Sequence, residues 1–600
     1  MELFLISAPL IGALISGPLG QAIGEKAASY VALALGLFAA LLAVLVAVRY
    51  AAGEGPYTVF LAGWLESGTL TGELALYVDG LGVAVAAFAS TLIALFQVHA
   101  VTLKALPGEE KPGEGRRMRL QNALSFLHFA ALLVLFAGGL VVFGAALLVL
   151  ALALCLAMDF HFLSKNASKS AGRALLFALV AAAALLVLTA ALFVQDDADA
   201  LETLFDLAAP LSAVPWLAAI AAFALAGLLP FSPWLTDASE APAELAAALF
   251  SLMAALAVFV ILRFAPWGGL ESPLAAWLAL LTAVLGALMA LGQDFIRRSL
   301  AAASLVPSGL AVALALAGQG TQALAIVASF AAGYALLWLS YGAVARRLPP
   351  SQETKALGGL RSHFPAAHLG AFFGTLAVSG FGLPVLYLGV PTGLAPFMAQ
   401  NAALGALEGA FYWGAVAALF LQSLALWRLY LVVFQGQPRS KKLAASLPHV
   451  GRAPALARAV LAIFALILAA GGGFLAPFLP TAAAVSAVPL MASIGGLLAA
   501  LALKRSLGAA PVRASGAPLS LVLRGFEDGL GVVTDRTGTF IADRLDRSLF
   551  DALFDPLSRW LLPKLDRSAG QAQTARAFPI ILGFVIAGLL ILTVVTMAGA

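Results

Sequence analysis

Groups that can take up and release a proton near neutral pH are histidines and environmentally shifted carboxylates or lysines. This chain places few of them inside its apolar stretches. His128 stands in the middle of one such stretch, where it could hold a proton or simply hydrogen-bond a neighbouring helix. Asp159 and His161, close to Lys165, end another stretch and read either as a proton-uptake pair or as a solvated helix end. Lys169 and Arg173 follow at the start of the next apolar run, where the usual cytoplasmic bias of basic residues also accounts for them. Arg297 opens a further run, and Glu408 falls at a helix start, where the dipole favours an acid. These seven residues are the candidate proton path. Asp237, Glu240 and Glu244 flank Pro242 and read as capping acids. Arg428 reads as a snorkelling or paired arginine near a helix end.

Other chemistries find no support. Cys155 is the only cysteine, which excludes an intrachain disulfide, a cysteine-ligated cluster and a thiolate zinc site. There is no phosphate-binding loop, dinucleotide-binding glycine turn, zinc helix or nucleophile elbow. The basic loops lack interleaved aromatics, so nucleic acid is not an expected partner, and no cofactor is expected. Gly471, Gly472 and Gly473 lie in an apolar run and read as a site of close helix packing.

The elements that must carry these residues follow from composition. Hydrophobic residues make up 62% of the 600 and charged residues 11%, where a soluble domain carries about 25% charged. Runs of about 20 apolar residues recur along the chain, the length that crosses a bilayer core as helix. The short alternating segments of a membrane barrel do not appear. The expected fold is all-α, a polytopic membrane protein of about sixteen helices. Spans are expected near 3–20, 28–49, 78–103, 121–138, 140–160, 172–194, 212–229, 243–263, 274–291, 297–317, 321–345, 366–400, 408–434, 455–475, 483–503 and 577–598. The start, Met1-Glu2-Leu3, lacks the basic segment of a signal peptide, so 3–20 reads as a retained span. Gly138-Gly139 is the expected turn between the fourth and fifth spans.

Two segments depart from simple spans. Gly380, Gly382, Pro384, Pro391 and Pro396 should break 366–400. Residues 519–567 mix apolar residues such as Phe554 and Trp560 with Arg524, Asp528, Arg547 and others. They read as a long amphipathic lateral helix on a membrane surface. The chain divides into 1–120 (spans one to three), 121–265 (spans four to eight), 266–480 (spans nine to fourteen, with the broken one) and 481–600 (span, lateral helix, final span). Basic loops at 104–119, 346–361 and 436–454 oppose acidic ones bearing Glu54, Glu66, Glu73, Asp196 and Asp197. The basic side should be cytoplasmic, which puts both termini on the periplasmic side of a bacterial inner membrane.

Several motifs share an order and spacing with a known family. Tyr77-Val78-Asp79-Gly80-Leu81 opens the third span. Pro230 and Trp234-Leu235-Thr236-Asp237 follow the seventh, and Ile296-Arg297-Arg298-Ser299-Leu300 starts the tenth. Leu357-Gly358-Gly359-Leu360-Arg361 precedes the broken span. Leu426-Trp427-Arg428-Leu429 to Gly436 ends the thirteenth, and Phe550-Asp551-Ala552-Leu553-Phe554 lies in the lateral segment. Together they resemble the antiporter-like subunit L of respiratory NADH:quinone oxidoreductase (complex I), with Asp79, Pro230, Trp234, Arg361 and Arg428 as its structural landmarks.

The resemblance implies a membrane-arm subunit, partnered by other arm subunits and by the lipid bilayer, with a midplane line of ionisable residues that moves protons. At those positions this chain carries about Leu148, Leu225, near Leu249, Phe330, Tyr334 and near Phe397, and keeps only Arg297. Ionisable groups at membrane depth cost about 2.5–3.5 kcal/mol each on insertion scales, so they persist where transport needs them. The expectation is therefore an arm subunit whose own proton route is lost and whose central interior is dry. The alternatives are a pump built on the substitute residues, and an ion-transporting partner in a non-respiratory membrane complex.

Overall fold

Backbone groups in an apolar run have only each other to bond, and the runs fold accordingly. The computed structural model describes residues 1–67, 70–102, 116–158, 160, 165–196, 213–267, 272–293, 295–348, 354, 357–379, 405–437, 458–463 and 488–507. In chain order the helices are α1 (Glu2–Ile23), α2 (Glu25–Ala51), α3 (Gly80–Thr102), α4 (Arg116–Leu135), α5 (Leu140–Met158) and α6 (Lys165–Asp196). Then come α7 (Val214–Ala226), the short α8 (Ser232–Asp237), α9 (Ala243–Phe264), α10 (Pro273–Gly292), α11 (Ile296–Leu316) and α12 (Gly320–Ala345). The series ends with α13 (Pro365–Val378), α14 (Gly405–Phe434) and α15 (Val488–Leu507). Among the described residues 10 helices are long and apolar enough to cross a membrane, and α9, α11 and α12 are the most enclosed.

The described helices fall where hydropathy places them, and the count of sixteen is not tested by them. The fourth and fifth spans part at residues 136–139, around the expected Gly138-Gly139 turn. The lateral segment 519–567, the final span 577–598 and the proline-rich part of 366–400 lie outside the described residues.

One element was not legible as such. The loop after α2 forms an antiparallel hairpin of β1 (Tyr57–Ser67) and β2 (Leu70–Val78), in register Tyr57↔Val78 and Phe60↔Ala75, with two register shifts. Among the described residues the chain is thus helical apart from this hairpin. A lone two-stranded hairpin is marginal in water, and here it is braced. Gly138 N donates to Ala75 O and Tyr77 N to Phe136 O, both at 3.0 Å, so the α4–α5 corner acts as a third edge. On the far side Tyr57 donates its hydroxyl to Glu2 Oε1 at 2.8 Å. Burial and the neighbouring Glu2 carboxylate push the Tyr57 hydroxyl up to about 12, so it remains a donor throughout the physiological range.

Packing uses small residues, as expected where helices must approach closely without a water-driven force. Between α10 and α11, a methyl added at Gly309 would sit 2.6 Å from Ala279 O, and one at Gly286 2.9 Å from Ala302 O. Around α9 and α12 the core is filled by large side chains as well. Phe250 stacks on Trp338 with ring centroids 4.9 Å apart.

Candidate functional site

The region where the resemblance implies a proton axis lies between α7, α9, α11, α12, α13 and α14. Leu225 on α7, Leu249 on α9, and Phe330 and Tyr334 on α12 are all buried, and Leu148 on α5 is half-buried. Phe397 lies outside the described residues.

Tyr334 has a structural occupation. Pro307 lies inside α11 and has no N–H for the carbonyl four residues back, which belongs to Ala303. Tyr334 donates its hydroxyl to that carbonyl at 2.6 Å and accepts from Gln422 Nε2 of α14 at 2.8 Å. The phenol therefore repairs a helix defect. A phenol gives up its proton only in alkaline solution, which makes it a poor carrier.

The axis is not wholly apolar, and the expectation of a dry interior is too strong. Ser340 and Tyr341 on α12, Thr375 and Ser379 on and after α13, and Gln422 each carry a buried polar atom without a hydrogen-bond partner among the described residues. These groups can bond water, but they are neutral amides and hydroxyls.

The motif residues turn out to fasten helix ends. Asp79 Oδ1 accepts from Gly82 N at 3.0 Å, capping α3. The same carboxylate takes both terminal nitrogens of Arg263 at 3.0 Å, a bidentate pair that ties α3 to the end of α9. Arg263 also lies 4.7 Å from the Phe259 ring centroid. Trp234 Nε1 donates to Ala224 O at 2.9 Å, serving one of the last carbonyls of α7 just beyond which Pro230 follows. Arg428 Nη1 donates to Leu291 O at 2.8 Å, closing α10 in the same manner. The Leu357–Arg361 motif docks on the end of α14, Gly359 N to Gln435 O at 3.2 Å and Leu360 N to Val433 O at 3.3 Å. Gly359 does so at a φ of 64°, a left-handed conformation that favours glycine. Arg361 itself is exposed.

Of the seven proton-path candidates, the structure describes the side chains of His128 and Arg297, and these two make separate contacts. His128 is fully buried on α4, its Nε2 2.8 Å from Ser90 Oγ of α3, far along the chain from the axis helices. Arg297 reaches Ser239 O and Ala241 O at 3.4 and 3.5 Å, around the short helical turn after α8. Asp159 and His161 lie outside the described residues. Lys169 and Arg173 fall on α6 and Glu408 in the first turn of α14, and their side chains are outside the described set.

Two clusters escaped the sequence reading. Glu244 stands in the first turn of α9, where an acid is expected, but it has a second and distant partner. It is buried and bonds His99 Nδ1 of α3 at 2.9 Å, with Arg458 Nη1 3.5 Å from His99 Nε2. Residues 145 and more positions apart meet here, and nothing local in the sequence marks such an encounter. The second cluster is Tyr430, whose hydroxyl lies 2.8 Å from His368 Nε2 and accepts from Gln435 at 3.1 Å. Both clusters sit at helix ends. No grouping of three or more His, Cys, Asp or Glu able to hold a metal occurs among the described residues.

The fold is that of a multi-pass membrane protein. Residues 137–425 match the family described as NADH:quinone oxidoreductase/Mrp antiporter, TM. The chain is similar to NADH-quinone oxidoreductase subunit L of Rhodobacter capsulatus, 26% identical over 492 residues, covering 78% of this chain and 68% of that protein. Subunit L of Mycobacterium tuberculosis is 28% identical over 436 residues, 69% of this chain and 65% of that one. Among solved structures, the membrane-bound sulfane sulfur reductase, an archaeal respiratory membrane complex, has a chain matching at a TM-score of 0.68 and 18% identity. That match covers 94% of this chain and 100% of the other. The Mrp complex of a Dietzia species matches at a TM-score of 0.65 and 19% identity, covering 99% of this chain but 63% of its counterpart. These structural likenesses speak to the fold, and the resemblance drawn from the motifs holds.

Proposed function

We propose that this chain is an antiporter-like membrane-arm subunit of an NADH:quinone oxidoreductase, or of a close relative, whose own proton route has been lost. The observation that supports this most directly is the filling of the axis. Leu225, Leu249 and Phe330 are buried there, and none of their side chains can bind a proton. Tyr334 is engaged with Ala303 and Gln422. The subunit's contribution is then architectural: it completes the arm in the bilayer, with the 519–567 segment clamping neighbouring subunits along the cytoplasmic face. Its setting is a bacterial inner membrane, with the loops at 104–119, 346–361 and 436–454 in the cytoplasm.

The test is the proton-to-electron ratio of the complex reconstituted in sealed vesicles. The share expected from this subunit should be missing, and a variant carrying His128→Leu with Arg297→Gln should give the same ratio as the parent. A full ratio that falls on either substitution would establish a pump built on substitute residues instead.

A further inference from the structure

A second file of buried polar groups runs between α3 and α4, on helices that take no part in the axis. On α4, Gln121, Ser125 and His128 follow at helical spacing on one face and are all buried. They meet α3 through three contacts. Gln121 Nε2 donates to Gln97 O at 2.9 Å, Gln97 Nε2 donates to Ser125 Oγ at 2.9 Å, and His128 Nε2 lies 2.8 Å from Ser90 Oγ.

These contacts leave one polar atom over on each of the three larger side chains. Gln121 Oε1, Gln97 Oε1 and His128 Nδ1 are buried and have no hydrogen-bond partner among the described residues. Whichever tautomer His128 adopts, its Nδ1 is either a donor or an acceptor left to be served. The surrounding helices make room for these groups. A methyl added at Gly36 of α2 would fall 1.8 Å from Gln97 Oε1, and one at Gly12 of α1 would fall 3.4 Å from Ser125 Oγ. Buried polar atoms left without a protein partner are the setting in which a protein holds ordered water.

The file has a direction. At about 1.5 Å per residue, α3 runs roughly 30 Å from Asp79 to His99, and Ser90 stands roughly 16 Å along it. The His128–Ser90 contact is therefore near mid-membrane. One turn before Gln121, Arg117 is half-exposed. In the other direction the same faces carry Leu132 on α4 and Ala86 and Val83 on α3, all buried and apolar.

We propose that the α3–α4 interface is a water-binding half-channel, open at the Arg117 end and closed at His128. Waters bound at Gln121, Gln97 and His128 give the imidazole a hydrogen-bonded connection to one side of the membrane only. The half-channel cannot carry protons across, so it stands whether or not the axis has lost its route.

The experiment is side-specific labelling of single cysteines at Gln121, Ser125, His128 and Leu132 in a Cys155→Ala background. The intact complex is used in sealed vesicles with a small cationic methanethiosulfonate. Positions 121, 125 and 128 should react from the Arg117 side alone, at rates falling with depth, and Leu132→Cys should stay unreacted. Silence at 125 and 128, or equal labelling from both sides, overturns the proposal. Because a cysteine can itself loosen packing, the unsubstituted complex is also exposed to radiolytic hydroxyl radicals. Oxidation of His128 well above that of Leu132 is expected, and an unmodified His128 counts against the half-channel.

Discussion

At the scale of single residues, the polar side chains that survive in this interior mostly serve backbone. Asp79 caps α3, Trp234 and Arg428 answer terminal carbonyls of α7 and α10, and Tyr334 answers the carbonyl that Pro307 leaves bare. Each satisfies a group that hydrocarbon would not. Tyr334→Phe removes one hydroxyl and strands two partners, the Ala303 carbonyl and the Gln422 amide. The expected loss is about 1–3 kcal/mol of stability, read as a lower midpoint in thermal unfolding of the detergent-solubilised protein. Proton stoichiometry should not change. A collapse of the stoichiometry with no loss of stability would make Tyr334 a proton carrier.

At the scale of elements, hydropathy was a good guide to helices and a poor one to everything between them. The span expected at 243–263 is α9 at Ala243–Phe264, and that expected at 321–345 is α12 at Gly320–Ala345, because a run of about 20 apolar residues has one stable form in lipid. The hairpin was missed because its stability is not local. It depends on Ala75 and Tyr77 finding the 136–138 backbone. The second partner of Glu244 was missed for a similar reason, since nothing local to a carboxylate at a helix start shows that His99 lies beside it. Loop sidedness is tested with Glu110→Cys in the Cys155→Ala background. That position should react with an impermeant thiol reagent only from the cytoplasmic side, and periplasmic labelling alone would reverse the topology.

At the scale of the whole molecule, the chain shares the fold of the matched structures, and the proposed role is attachment. If attachment is its role, deletion of residues 519–600 should release the subunit from its complex while the preceding helices still insert. Co-purification of the shortened chain at full yield would show that attachment lies elsewhere. The Pro307–Tyr334–Gln422 contact also bears on ancestry. A lysine at 334, as the resemblance implies for the family, would bring a charge into the bundle and, having no acceptor, strand the Gln422 amide that now donates to Tyr334. On the proposed reading, regaining proton carriage would need coordinated changes on three helices, so the loss would work as an evolutionary ratchet: each single reversion is penalised before any transport is regained.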